Sequence, residues 1–407
     1  MRLGGVRMRL TKGQIKRHKL IYGFFKLLLT KPFSKRYNFT FEKSGLPDAP
    51  YIILPNHNTE LDPLFIAFCF PHTYFVASEH LFNKGFLSKL LTHFFSPIPR
   101  MKSRADVTTV LDIRRRLNQG CNICIFPEGD RSLDGRTARP HPSTGALIKS
   151  CKVPFVTYML EGSFLTHPRW SLGIRRGKMT GRVVNIHYPE QFAGMTPEEI
   201  NDVIYKDTYD DAYKTQNKQM IQYKGKNLAE GLESALYLCP NCGRPEHLRS
   251  EKNHIFCECG MSAKYNEYGY FESDDIGIKN FTEWYDWQRA ELYKMAEDAY
   301  SRFFVSDNGV CVYKIDTQRR HVKLPQNSIK MNRQQIILSD ENGEKIVIDN
   351  SSVSGLSIYS RNCLLLLSKQ DYYEIKPYGD KSRGFNARKY LHLYEFSKKE
   401  NTNEFLK

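Results

Sequence analysis

The spacing of apolar and polar positions changes character along the chain. Near the N-terminus it follows the helical period: Lys12, Lys16, Lys19 and Lys26 share one face of a helical wheel, with Ile21, Phe24, Phe25 and Leu28 on the opposite face. Short apolar runs follow, at Tyr51–Leu54, Asn122–Ile125 and Val153–Tyr158, each bounded by polar or proline-containing turns, as buried strands are. Thr196-Pro197-Glu198-Glu199 predicts a capped helix start. Glu283 to Tyr300 predicts another helix, whose Trp284 and Trp287 suit the core or, second, a lipid interface. Beyond it the pattern turns to β-branched and aromatic runs, with strands near Phe303, Val310, Ile336, Ile346, Leu356, Leu364 and Tyr372. Asp307-Asn308-Gly309 and Glu341-Asn342-Gly343 are expected as two-residue hairpin turns. A last helix is expected from Asn386, with Ala387, Tyr390, Leu391 and Tyr394 on one stripe. The pattern predicts an α/β region followed by a β-rich one.

With 407 residues and 41% hydrophobic content, the chain is large enough for two or three domains. Its formal charge of +16 points to anionic partners without choosing among them. From Arg2 to Phe41 no acidic residue occurs, whereas Arg2, Arg7, Arg9, Arg17, Lys31, Lys35 and Arg36 add to the four lysines above. A basic amphipathic helix of this kind is expected to lie in a membrane interface with its lysines on anionic head groups. No uncharged run approaches the roughly 20 residues needed to span a bilayer, and no small-residue cleavage site follows the apolar stretch. The expected location is therefore cytoplasmic, peripheral on the inner face of the cell membrane.

Two strand ends carry the candidate chemistry. Tyr51–Leu54 runs into Pro55-Asn56-His57-Asn58-Thr59-Glu60-Leu61-Asp62-Pro63, and Asn122–Ile125 runs into Phe126-Pro127-Glu128-Gly129-Asp130-Arg131-Ser132. A hydroxyl is a poor nucleophile at neutral pH without a base of pKa near 7, for which histidine is suited, and an aspartate within reach fixes its tautomer. Between these lie Ser96-Pro97-Ile98-Pro99-Arg100 with Lys102 and Arg104, and after them Val153-Pro154-Phe155-Val156.

The order of H-x-x-x-x-D at His57 and Asp62, the Arg100 block, F-P-E-G-x-R-S from Phe126 and V-P-x-V from Val153 resembles the glycerolipid acyltransferase family, specifically the 1-acyl-sn-glycerol-3-phosphate acyltransferases, over roughly residues 20–235. The resemblance implies a mixed sheet flanked by helices. It implies His57 as general base, Asp62 as its orienting partner, Arg100 and Arg131 on the acceptor phosphate, and Glu128, Gly129 and Ser132 around the acceptor. It places Pro154 on the acyl-donor side. The implied reaction moves a fatty acyl group from acyl-ACP or acyl-CoA to lysophosphatidic acid or a related lysophospholipid. Two positions depart from the family pattern: Asp130 stands where threonine or serine is usual, and Pro-Ile-Pro-Arg replaces a more apolar block. A carboxylate beside Arg131 is expected to weaken its pull on phosphate.

Of the ten cysteines, Cys239, Cys242, Cys257 and Cys259 form two knuckle-like turns fourteen residues apart, the pattern of a structural zinc ribbon holding one ion. The second turn is one residue tighter than usual, which leaves His247 or His254 as an alternative ligand. Cys121 and Cys124 have no partner pair and are expected as core residues.

The expected organisation is a membrane-interface segment over 1–37, an acyltransferase domain over 38–235, a zinc ribbon over 236–265, a helical linker over 266–300 and a β-rich domain with a C-terminal helix over 301–407, resembling a pleckstrin-homology-like barrel. The alternatives are a non-catalytic lipid-binding scaffold of the same fold and a zinc-ribbon nucleic-acid-binding protein. The second is disfavoured because the basic residues sit among phenylalanines and leucines in an amphipathic segment and no basic-aromatic platform flanks the ribbon.

Overall fold

A computed structural model of the chain describes residues 10–42, 45–48, 50–78, 92–100, 107–274, 276–299, 305–316, 320–369, 371–379 and 385–401. Lys102, Arg104, the basic residues before Leu10 and the strand start at Phe303 lie outside this set. Two compact units divide the chain: residues 1–169 with 174–224, and residues 170–173 with 225–407.

In the first unit, seven strands form one sheet in the order β1-β7-β6-β2-β5-β3-β4. They are β1 (Phe39–Phe41), β2 (Ile52–Pro55), β3 (Thr73–Ser78), β4 (Ile98–Arg100), β5 (Asn122–Cys124), β6 (Phe155–Glu161) and β7 (Met179–His187). All neighbouring pairs are parallel except β6 and β7, so the sheet is mixed. Strand β2 is fully buried because both of its faces meet apolar cores. Ile53 packs with Tyr37, Phe65 and Phe68 on one side, while Ile52 and Leu54 pack with Ile113, Ile148 and Ile200 on the other. Helix α2 (Asp62–Cys69) and the C-terminal part of α1 (Lys12–Tyr37) thus lie on one face, and α3 (Val107–Leu117), α4 (Ser143–Cys151) and α5 (Pro197–Thr208) lie on the other, where Ile15 at the start of α1 also packs. The expected capping box is present: the Thr196 hydroxyl accepts from Glu199 N at 3.2 Å and Glu199 accepts from Thr196 N at 2.7 Å. Cys121 and Cys124 are core residues, as expected.

Helix α1 differs from its expected wheel. Its inward stripe carries polar and aromatic side chains: His18 bonds the Tyr74 hydroxyl at 3.0 Å, and Tyr22 donates to Ala67 O at 2.9 Å. Lys26, expected on the lipid-facing side, donates instead to Phe70 O at 2.6 Å, and Phe25 packs on Phe95. The apolar positions left outward are Leu20, Phe24, Leu27 and Leu28, which are 56–84% exposed.

The second unit contains a four-stranded antiparallel ribbon of β8 (Leu248–Glu251), β9 (His254–Cys257), β10 (Ser262–Tyr265) and β11 (Phe271–Glu272), then helix α6 (Phe281–Ala299). Two further antiparallel sheets follow, ordered β12-β15-β16-β17 and β14-β13-β20-β19-β18, with helix α7 (Ala387–Asn401) at the end. These strands are β12 (Val305–Asn308), β13 (Val310–Ile315), β14 (His321–Lys323), β15 (Ser328–Met331), β16 (Gln335–Ser339), β17 (Lys345–Asp349), β18 (Val353–Tyr359), β19 (Cys363–Ser368) and β20 (Asp371–Pro377).

Two turn expectations are corrected. Asp307-Asn308-Gly309 is not a hairpin: β12 pairs with β15 while β13 pairs with β14 and β20, so Gly309, at φ +69°, turns the chain from one sheet into the other. Glu341-Asn342-Gly343 does lie in a hairpin, but Ser339 faces Lys345, which makes a five-residue loop held by the Asp340 carboxylate accepting from Asn342 N and Glu344 N. Helix α6 buries Trp284, whose indole N–H donates to Leu238 O at 2.9 Å, and α7 buries Ala387, Tyr390 and Leu393.

Candidate active site

Strand β2 delivers His57 at its C-terminal end, and the following turn folds back so that Asp62 opens helix α2. Asp62 is fully buried and accepts four hydrogen bonds: from Asn58 N at 2.6 Å, Thr59 N at 2.8 Å, the Thr59 hydroxyl at 2.8 Å and His57 Nδ1 at 2.9 Å. An ionised carboxylate can only accept, so Nδ1 carries the hydrogen in neutral His57 and Nε2 keeps its lone pair. The imidazole stacks on Phe126 with centroids 4.0 Å apart and 27° between planes, and its side chain stays 16% exposed. An imidazole oriented at Nδ1 and partly open, chemically able to accept a proton at Nε2, is the result.

The two sequence blocks are joined through the main chain of His57. Its N–H donates to Glu128 Oε1 at 2.6 Å, and its carbonyl accepts from Ser132 N at 2.8 Å. Glu128 Oε2 accepts from Ala138 N at 2.9 Å, so the carboxylate bridges two loops. Burial pushes its pKa well above the usual carboxylate range, against the pull of those two N–H groups. The loop carrying Arg131 therefore hangs from the main chain of His57.

Gly129 sits at φ +77°, and a Cβ there would lie 3.4 Å from Arg100 Nη1, which puts the Arg100 guanidinium, at the end of β4, over this turn. Burial lowers the pKa of both Arg100 and Arg131; for Arg131 the nearby Arg169 adds to the effect. Among the described residues no side chain bonds the Arg131 guanidinium. Desolvated arginines of this kind suit phosphate, which they grip through two parallel N–H groups. Ser132 is buried, and its hydroxyl donates to Arg136 O and accepts from Gly135 N, which ties it within the loop.

Pro154 stands apart from these residues. It precedes the first residue of β6, where its carbonyl accepts from Ile52 N at 3.0 Å. Because Ile52 faces Phe155 and Pro55 faces Tyr158 in parallel register, Pro154 is about 10 Å or more below the level at which His57 leaves the sheet. A proline is tolerated at a strand's start because no ladder hydrogen bond is required of it there.

Residues 37–161 match the model of the Acyltransferase family. The chain carries an acyltransferase domain. Among solved structures, the crystal structure of the 1-acyl-sn-glycerophosphate (LPA) acyltransferase PlsC from Thermotoga maritima is similar at 18% identity, over 52% of this chain and 84% of that one, with a TM-score of 0.43. The solution structure of the N-terminal PH domain of human ARAP2 is similar at 14% identity, over 24% of this chain and 82% of that one, with a TM-score of 0.19.

Around His57 lie residues that the sequence did not single out. Asn56 donates to Leu160 O at 3.1 Å and accepts from Leu160 N at 2.7 Å, and Asn58 donates to the Ser163 hydroxyl at 2.8 Å. Both asparagines are buried and fasten the His57 turn to the end of β6. Asn56 and Asn58 bracket His57 in sequence, and that proximity was the only signal available for them.

In the second unit, the sulfurs of Cys239, Cys242, Cys257 and Cys259 all lie within 4.8 Å of one another, with 3.7 Å between Cys239 and Cys259 and 3.8 Å between Cys242 and Cys257. Zinc bound tetrahedrally at about 2.3 Å per thiolate separates sulfurs by about 3.8 Å, so the four thiols fit such an ion. Backbone N–H groups of Arg244 and Met261 donate to Cys242 and Cys259 and lower those thiols' pKa, whereas burial raises that of Cys257 and pushes Cys239 up to about 12. Neither histidine considered as a ligand joins the group: His247 bonds Glu258 at 2.7 Å, and His254 is an exposed residue of β9. Four protein ligands leave no open position, so a metal here would be structural.

Proposed function

We propose that the acyltransferase unit moves a fatty acyl group from a thioester of acyl carrier protein or coenzyme A to the free hydroxyl of lysophosphatidic acid or a related lysophospholipid, as a step of phospholipid biosynthesis. The observation that carries this reading is the attachment of the oriented His57 to the Arg131 loop through both its main-chain N–H and carbonyl. The base and Arg131 then move as one piece, which favours an acceptor carrying hydroxyl and phosphate a fixed distance apart.

His57 Nε2 takes the hydroxyl proton while the oxygen attacks the thioester carbonyl carbon. The tetrahedral intermediate collapses with loss of the C–S bond, and the leaving thiolate takes the proton back from the imidazolium. Asp62 stabilises that imidazolium and does not itself transfer a proton. Arg100 and Arg131 hold the acceptor's phosphate.

A membrane surface is the proposed meeting place for the reactants. Leu20, Phe24, Leu27 and Leu28 form an outward stripe on α1, bounded along the helix by Lys16 and Lys31, both exposed. An exposed apolar stripe between basic residues suits the head-group boundary of an anionic bilayer. No helix among the described residues is long and apolar enough to cross a membrane. The cysteines are all free, which supports a cytoplasmic location on the inner face, and zinc is the proposed occupant of the thiol cluster.

Labelled acyl transfer from both carriers to lysophosphatidic acid tests the reaction. Transfer by the wild type that His57→Ala abolishes is expected; absence of transfer from either carrier to any lysophospholipid refutes it. Flotation with anionic vesicles tests the membrane contact, and Phe24→Glu/Leu27→Glu is expected to leave the protein at the bottom of the gradient.

A further inference from the structure

We propose that Arg169 is a positioning residue of the acceptor site: it holds the Asp130 carboxylate and the Arg131 main chain so that the Arg131 guanidinium stays available to phosphate. The inference rests on the reading of Arg131 as an acceptor-phosphate ligand.

Asp130 and Arg131 are adjacent, and a carboxylate beside a desolvated guanidinium ordinarily pairs with it. Here the carboxylate is engaged elsewhere. Its Oδ1 accepts the Arg131 backbone N–H at 2.9 Å and lies 3.2 Å from Arg169 Nη1. The same Arg169 nitrogen donates to the Arg131 carbonyl at 3.2 Å. One guanidinium thus holds both the competing carboxylate and the backbone of the residue it competes for.

The environment of Arg169 shows that this contact has a purpose beyond surface pairing. Its side chain is 1% exposed, against 37% for Asp130. A charge so deeply buried is retained only where it is paired and hydrogen-bonded. Exposed ion pairs contribute little, because water competes for both partners, but the buried end here cannot exchange its carboxylate for water. The Asp130 carboxylate still acts on Arg131 through space, as do Glu60 and Asp62, but no described side chain bonds the Arg131 guanidinium. Without Arg169 the half-exposed Asp130 is within one residue of Arg131 and turns to it, cancelling the charge that a phosphate would meet. The expected weakening from Asp130 is therefore offset by a residue thirty-eight positions downstream in the same unit.

The test uses the full chain in detergent, with equilibrium binding of fluorescent lysophosphatidic acid measured beside steady-state transfer. Arg169→Gln keeps a donor for the Arg131 carbonyl and removes the charge; it is expected to raise Kd and KM about tenfold with kcat within about threefold of wild type. Asp130→Asn added to it removes the competitor and is expected to bring Kd back to within about threefold of wild type. Arg169→Lys, which keeps the charge, is expected to stay within about threefold. An unchanged Kd in Arg169→Gln, or a double variant that binds no better than the single one, overturns the proposal by making Arg169 merely structural. Should Arg169→Gln not fold, Asp130→Asn alone decides, since weaker binding in that variant contradicts a competing carboxylate and binding equal or tighter supports it. Wild-type protein that binds no lysophosphatidic acid refutes the acceptor reading itself, whatever the variants do.

Discussion

The two units bury charge in opposite ways. In the second unit Lys389 and Asp307, 2% and 1% exposed, close on each other at 2.8 Å. Lys389 also reaches Glu246 and the Ser306 carbonyl, and Asp307 accepts from the Tyr390 hydroxyl at 2.7 Å. Nothing in that constellation is left for a ligand. In the acyltransferase unit Asp62 is closed just as thoroughly, yet what it orients is a partly open imidazole, and the nearby Arg100 and Arg131 are desolvated without a bonded counter-ion among the described residues. Buried charges that satisfy one another hold a structure together; buried charges left incomplete at strand ends mark a place where something else completes them.

The largest test of this contrast is metal removal. If the second unit is purely structural, its thiol cluster supports folding and contributes nothing to chemistry; zinc bound by such peptides is worth about 10–16 kcal/mol. The three tryptophans, Trp170, Trp284 and Trp287, all belong to that unit. Chelation, or Cys239→Ser/Cys242→Ser, is expected to shift tryptophan emission to the red while amide protection in the acyltransferase strands Ile52–Pro55 and Phe155–Glu161 persists. Emission unchanged after stoichiometric metal loss would show that the ribbon folds without its ion.

On the other side of the comparison, His57→Ala is expected to lower kcat on the order of 10³-fold while the thermal midpoint moves little, since the side chain is stacked and partly open and not a core group. A variant that keeps activity transfers the role of base to another residue. Lys389→Met should do the reverse. Leaving Asp307 buried and unpaired is expected to cost about 3–5 kcal/mol in urea unfolding followed by tryptophan emission, and Lys389→Met/Asp307→Leu should recover most of it.

These contrasts also explain what could be read before the structure. The strands β2, β5 and β6, the capped helix α5 and the thiol cluster were legible because each rests on local signals: apolar runs, a capping box, a fixed cysteine spacing. The pairing of His57 with Asp62 was legible because both sit in one turn. Three things were not. Lys26 turns toward Phe70 because the inward stripe of α1 is polar and aromatic, so a wheel sorted by charge misassigns it. Asp307-Asn308-Gly309 has hairpin composition but joins two sheets, since turn residues fix a bend and not the partner of the strand that follows. Arg169 lies thirty-eight residues from the loop it holds, and no period or motif links them.

The smallest expected effect concerns the seat of α1, which, unlike the apolar packing around it, depends on neutral histidines. His72 stacks edge-on against Tyr22 and Tyr74, and His18 bonds Tyr74; Arg116 lies over the same Tyr74 ring at 4.3 Å, with Lys19 and Arg17 nearby. Burial, reinforced by those cations, pushes His72 down to about 4 and lowers His18 as well. Above pH 6.5 neither the folded nor the unfolded chain protonates His72, so it leaves stability unchanged. As pH falls from 6.5 toward 4 the unfolded chain takes up a proton that the folded one refuses, and stability declines, levelling off below 4. The loss is expected to be about 1 kcal/mol between pH 6.5 and 5.5, read from amide exchange in β2 and β3. His72→Gln should flatten that slope in the acyltransferase unit, and a slope that survives in the variant would leave His18 as the group responsible.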